Sequence, residues 1–300
     1  MARARAWIVG ENICARVARV AGDGGASRGV GGAEMRWMSA SASAATGART
    51  PDGRDVERAI RRVNRRIASA VGAFASGAGA GAGAATRGGR ERARDEAAGA
   101  EKLLVWLHGY ADADGESWRE FCDVVVREGG RKCAVVCPDA PERIAVGTGT
   151  RARAWFKPRL HVRRDGRSWT CDGIEDSVES VVKLVDAERE RLGISRRDVV
   201  LGGFSQGACL ALACAKSELS DVGGILAVRG YLPNRSREFA DLKPSTLILA
   251  GGNDPLVPLE WSLEAGRLTG GDVIIRENMG HELCVEDVYQ ARLWIRRRFM

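Results

Sequence analysis

Three histidines and three tyrosines in 300 residues leave this chain few groups for proton transfer near neutral pH. Imidazole is the side chain whose ordinary pKa lies in that range, so His108, His161 and His281 are the whole supply. Lysine is missing from the first hundred residues, which hold seventeen arginines and nine acidic residues, a net charge of +8; the remainder nets −1. That basic third is rich in Ala, Gly and Ser and lacks interleaved aromatics, which argues against a nucleic-acid partner. No apolar run approaches the roughly 20 residues that cross a bilayer, which excludes an integral membrane protein. The eight cysteines show no C-x-x-C pair and no metal or disulfide spacing; Cys133 and Cys137 are four apart but fall on an expected strand. They read as reduced thiols of a cytosol-like compartment, with no metal site and no cofactor.

Three segments differ in composition. Residues 1–50 carry seven arginines against three acids, which reads either as an organelle transit peptide with a processing region near Arg36-Trp37-Met38-Ser39, or as a disordered extension. The location is accordingly cytoplasmic or organellar, mitochondrion and plastid being equally open. Residues 51–100 contain a basic helix and a linker. Val56, Ile60, Val63, Ile67, Val71 and Phe74 recur at helical spacing among arginines, which forms one apolar stripe. Such a helix can dock on a neighbouring domain, serve targeting, or touch an anionic membrane surface transiently. The Gly/Ala repeat at 75–90 is a flexible linker.

From residue 101 to 300 short apolar strands alternate with helices. Strands are expected near 103–107, 134–137, 198–202, 225–228, 246–249 and 273–275, and helices near 116–127, 174–192, 206–216, 258–268 and 284–299. This alternation predicts an α/β domain with a mostly parallel sheet and helices on both faces.

Gly203-Phe204-Ser205-Gln206-Gly207 fits the G-x-S-x-G nucleophile elbow and lies between an expected strand and an expected helix. A serine hydroxyl needs a base to become a nucleophile. In this class the chain order is Ser, acid, His, so His281 is the eligible base, on a loop that leaves its ring mobile and exposed. Asp254, directly after the strand at 246–249, is the favoured acid; Asp272 and Glu277 compete by order alone, and Asp272 precedes its strand. An oxyanion would be met by the backbone N–H of Gln206 and by that of Tyr110, in the loop after the first strand. His108 then braces that loop.

Leu107-His108-Gly109, Cys137-Pro138-Asp139-Ala140-Pro141, Ala154-Trp155-Phe156, the elbow, Gly230-Tyr231-Leu232-Pro233, Asp254-Pro255-Leu256-Val257-Pro258 and Gly280-His281 follow one another along residues 101–300. In these segments the chain resembles the acyl-protein thioesterase / phospholipase–carboxylesterase family of α/β-hydrolases. The resemblance implies an α/β-hydrolase fold and cofactor-free cleavage of acyl thioesters or esters, on acylated proteins, lipids or small molecules. It places Trp155, Phe156 and Leu256 at the substrate. A general short-chain carboxylesterase and a catalytically silent ligand-binding hydrolase fold are the alternatives. Three features depart from the family: the longer turn Tyr110–Gly115, Lys157 where an Asp is usual, and a basic segment at 143–167. The segment reads as a solvated loop or as a surface favouring acidic flanks on the substrate.

Overall fold

Strands that are apolar on both sides need cover on both faces, and the sheet here is built in that way. The computed structural model describes residues 6–8, 51–76, 99–112, 114–127, 132–144, 151–163, 166–233, 239–240 and 242–299. The proposed processing region and the linker beyond residue 76 lie outside them. In chain order, β1 (Ala6–Ile8) and α1 (Pro51–Ser76) precede β2 (Lys102–Leu107). A 3-10 turn at Glu116–Trp118 leads into α2 (Arg119–Val126) and β3 (Cys133–Val136). Two antiparallel hairpins follow, β4 (Glu142–Ile144) with β5 (Arg151–Arg153), and β6 (Lys157–Arg163) with β7 (Gly166–Asp172). The rest alternates: α3 (Ile174–Leu192), β8 (Val199–Phe204), α4 (Gln206–Lys216), β9 (Gly224–Val228), β10 (Ser245–Gly251), α5 (Leu259–Thr269), β11 (Asp272–Arg276) and α6 (Val285–Phe299).

The main sheet has the order β1-β11-β10-β9-β8-β2-β3 and every neighbouring pair is parallel. Alternate residues of β2 serve opposite cores. Leu104 and Trp106 join Phe121 and Val124 of α2 and Val288 and Ile295 of α6. Leu103, Val105 and Leu107 join Val181 of α3, Leu210 of α4 and Ala265 of α5. Helices therefore cover both faces, as the alternation of apolar segments predicts.

Helix α1 packs on α2 and α6, and Val56, Ala59, Ile60, Val63 and Ile67 are part of the core on that face. Its apolar stripe from Val56 to Ile67 is covered by protein, while Arg58, Arg61, Arg62 and Arg65 are exposed. Arg62 Nη1 reaches Glu120 Oε2 at 2.6 Å, and Arg127 Nη1 reaches Asp55 Oδ2 at 3.0 Å. Exposed pairs of this kind contribute about 0.2–1 kcal/mol each, so the apolar stripe dominates the docking.

The stretch expected as a basic loop is instead the two hairpins. Its described arginines are engaged with the fold: Arg143 donates to the carbonyls of Ala154 (3.0 Å) and Trp155 (3.1 Å), and Arg153 to that of Ala140 (3.2 Å). Arg159 pairs with Asp172 across the second hairpin. Charge alternating along short strands hides the apolar periodicity that marks a half-buried sheet, which is why these four strands are illegible in the sequence. Arg164 and the side chains of Arg163 and Arg167 lie outside the described residues.

Candidate active site

The carboxyl ends of β2, β8, β10 and β11 bring the loop at 108–112, Ser205, Asp254 and His281 to one edge of the sheet. At the elbow, Ser205 has φ 53° and ψ −113°, a conformation that side chains rarely adopt. Its N–H donates to the Val228 carbonyl at 2.9 Å, which fixes the turn against β9. The two glycines are steric necessities. A Cβ on Gly203 would lie 2.5 Å from the Gly207 carbonyl carbon, and one on Gly207 would lie 2.0 Å from the Leu107 oxygen. The start of α4 thus packs against β8 at Gly203 and against the end of β2 at Gly207, at separations that admit only hydrogen.

His281 Nδ1 lies 2.7 Å from Asp254 Oδ2. Asp254 Oδ1 in turn accepts the N–H groups of Leu256 and Val257, each at 2.9 Å. One carboxylate oxygen is left for the ring while the other is held by its own turn. Asp272 begins β11, at the opposite edge of the sheet from His281. The His281 side chain is only 7 % exposed, so the exposed ring expected from the loop sequence is corrected to one largely covered. Phe204 explains part of that burial, its ring centroid lying 4.9 Å from the imidazole.

The segment around His281 is also gripped by its backbone. Arg229 is fully buried with φ 52°, and donates from Nε to Gly280 O (3.2 Å) and from Nη2 to Glu282 O (2.5 Å). Its Nη2 also pairs with Asp287 Oδ2 at 2.7 Å. From α1, Asn64 accepts the Leu283 N–H (2.9 Å) and donates to the Leu283 carbonyl (2.8 Å). Neither residue is recognisable in the sequence, since a buried arginine or asparagine looks there like any surface one.

The loop after β2 is held in the same manner. The Ala140 N–H donates to His108 Nε2 at 3.0 Å, so the ring hydrogen resides on Nδ1, which donates to the Gly109 carbonyl at 2.8 Å. His108 is thus occupied on both nitrogens as a brace. Asp112 Oδ2 accepts the Gly109 N–H (2.7 Å) and Trp118 Nε1–H (3.0 Å). Ala111 adopts φ 59°, and its N–H is taken by Arg153 O at 2.9 Å. The lengthened turn is therefore pinned by Asp112 and by β5. Gln206, the first residue of α4, has a backbone N–H with no intrahelical partner available, an orphan donor at a helix start.

Gly109, Tyr110, Ser205, Gln206, Leu256 and His281 line a single cleft. Its cavity volume is about 90 Å³, and Pro158, Phe204, Tyr231 and Val257 complete much of its apolar wall. Ile67 and Ala70 of α1 line it too. Trp155 and Phe156 are not among its lining residues, though Phe156 lines an adjoining pocket that shares Tyr110 and Pro158 with the cleft. Both are buried: Trp155 Nε1 donates to His108 O (2.8 Å), and the Gln206 side chain links the Trp155 N–H (2.9 Å) to the Phe156 carbonyl (2.9 Å). Aromatic side chains next to a motif look like ligand contacts in sequence, but here it is their backbone, held by Gln206, that ties the segment between the two hairpins to α4. Gln206→Leu is expected to leave that buried N–H and carbonyl unpaired, at about 1–3 kcal/mol apiece. A lowered urea midpoint would register it.

Five of the thiols are poorly suited to nucleophilic chemistry. Burial raises Cys122, Cys209 and Cys214 well above the ordinary thiol range, and Cys133 and Cys284 to about 12. Protonated thiols are poor nucleophiles. Among the described residues no three His, Cys, Asp or Glu side chains group as a metal site would require, and no helix is long and apolar enough to cross a membrane.

Residues 91–296 match the family described as phospholipase/carboxylesterase, more than half of the chain. The chain belongs to that family. It is a serine hydrolase of the α/β-hydrolase fold. Acyl-protein thioesterase 1 homolog 1 of Dictyostelium discoideum is 26% identical over 196 residues, covering 62% of this chain and 85% of the relative. Lysophospholipase-like protein 1 of Mus musculus is 26% identical over 212 residues, covering 65% and 86%. The crystal structure of Arabidopsis thaliana SOBER1 superposes with a TM-score of 0.58 at 21% identity, over 66% of this chain and 99% of that one, a likeness of fold. Helix α1 precedes the region matched by the family.

Proposed function

We propose that this hydrolase cleaves acyl thioesters or esters with an apolar acyl chain, in the manner of an acyl-protein thioesterase, through Ser205, His281 and Asp254. The observation that carries the reading is the cleft, in which one apolar wall meets Ser205, His281 and Gln206. An acyl chain lies along such a wall with its carbonyl at the serine, and burying it supplies about 0.8 kcal/mol per methylene.

Ser205 Oγ attacks the carbonyl carbon as His281 Nε2 takes its proton. Asp254 holds Nδ1, so Nε2 is the ring nitrogen left to accept the proton. Negative charge develops on the carbonyl oxygen and is met by the N–H groups of Gln206 and Tyr110. The imidazolium then protonates the departing thiolate or alkoxide, leaving an acyl-serine. Water, deprotonated by His281, attacks that ester and releases the acid. The same path serves a palmitoyl-cysteine, a lysophospholipid or a small ester, since the steps at the carbonyl are the same for each.

A palmitoyl-cysteine peptide, a lysophospholipid and nitrophenyl acetate assayed side by side test the reading, with a fluorophosphonate probe as a count of competent serines. The expected result is labelling together with higher kcat/KM on the long-chain substrates than on the acetate. Preference for the acetate would make the protein a short-chain carboxylesterase, and absence of labelling would remove the catalytic reading.

A further inference from the structure

We propose that α1, a helix outside the region matched by the family, forms a built-in wall of the acyl cleft, and that Ile67 and Ala70 limit the length of acyl chain it accepts. The inference rests on the acyl-hydrolase reading above and extends it to a segment that reading does not use.

Two independent observations support it. The first is position: Ile67 and Ala70, 4 % and 9 % exposed, line the same cleft as Ser205 and His281. They sit three residues apart on one helical face, as two neighbouring contacts along a groove require. The second is fixation. The N-terminal half of α1 is bound into the core through Val56, Ile60 and Val63. One turn before the cleft, Asn64 makes its two-way hydrogen bond to Leu283, two residues beyond His281. Beyond it, Ala70 packs with Ala111, Ala152 and Tyr110 beside the loop after β2. The helix therefore spans from the His281 loop to the Tyr110 loop with its rotation set by Asn64. The cleft has one wall from a segment outside residues 91–296, the part of the chain matched by the family.

The chemical consequence is steric selection. Side chains at a fixed wall decide how far an acyl chain runs from the serine, and a methylene more or less in such a pocket changes kcat/KM by roughly 10- to 200-fold. Ala70 carries only a methyl group, so added bulk there shortens the groove. Ile67 is large, so trimming it lengthens or widens the groove.

The full-length chain is assayed on nitrophenyl acetate, octanoate and palmitate, and separately labelled with short- and long-alkyl fluorophosphonates. Ala70→Phe is expected to lower the palmitate-to-acetate ratio of kcat/KM by about 10-fold or more, and to slow the long-alkyl probe relative to the short one. Ile67→Ala is expected to move both ratios the other way. Arg61→Ala, on the exposed face of the same helix, should move neither. Unchanged ratios in folded, labelled Ala70→Phe overturn the proposal. Should that variant melt, Ala70→Val and Ile67→Ala give the same ratios, and two null results are equally fatal. Labelling of the wild type without hydrolysis of any ester would instead overturn the acyl-hydrolase reading, and the acyl wall with it.

Discussion

Replacing Ser205 with Ala is expected to abolish turnover almost completely, by roughly 10^6-fold in kcat, while leaving the fold intact. Loss of a nucleophile that acts with its base as a unit has a cost of that order, because the remaining partners cannot substitute for it. Residual hydrolysis of about 10^3–10^4 over water would persist through binding and the oxyanion donors. Fluorophosphonate labelling should vanish. Ester hydrolysis at even a tenth of the wild-type rate would remove Ser205 from the mechanism.

Ser205→Gly sharpens that result. At φ 53° and ψ −113° the serine sits where only glycine is unstrained. Strain of this kind costs about 1–3 kcal/mol, and glycine's added freedom in the unfolded chain costs about 0.5–1 kcal/mol. The variant should therefore be inactive yet more stable by about 1 kcal/mol, read as a raised urea midpoint. On the proposed mechanism, a residue that opposes the stability of its own fold is held there by the chemistry. Ser205 does so because the turn that strains it also projects its hydroxyl from the carboxyl edge of the sheet.

Much of this site was legible along the chain because the motif carries its own geometry. A strand, a glycine-flanked serine and a helix define a turn, and chain order together with scarce histidine leaves His281 as the base. Asp254 is legible because it directly follows a strand, and the 2.7 Å contact to His281 fits that reading. Orientation is what the sequence withholds. Trp155 and Phe156 stand beside a motif yet face inward, and which way an aromatic residue turns depends on the hairpin that presents it. The stripe of α1 predicts a helix with an apolar face without saying what covers it. Buried charges are the least legible: Asp112 and Arg229 differ from surface residues only in partners that lie far along the chain or around a turn.

Arg229 carries the second large effect. Its guanidinium is fully buried against Asp287, itself 1 % exposed, and the same group holds the carbonyls on either side of His281. Leu249 O, at 3.2 Å, is a further acceptor. Arg229→Met keeps most of the side-chain volume and leaves the Asp287 carboxylate with only the Cys284 N–H at 3.1 Å and Arg276 Nε at 3.5 Å. Breaking a buried pair from one side costs about 3–5 kcal/mol, which should appear as a large fall in the urea midpoint. Activity should fall as well, because a catalytic group displaced by about 1 Å loses roughly 100-fold. The double variant Arg229→Met/Asp287→Leu separates the two consequences. Replacing both charges by apolar groups is often neutral or stabilising, so stability should largely return. The carbonyls of Gly280 and Glu282 would still lack their donor, so kcat should stay depressed while KM changes little. Recovery of both stability and kcat in the double variant would mean that Arg229 acts only on the fold. Recovery of stability alone makes it a positioning residue for His281, acting through the backbone that carries the ring.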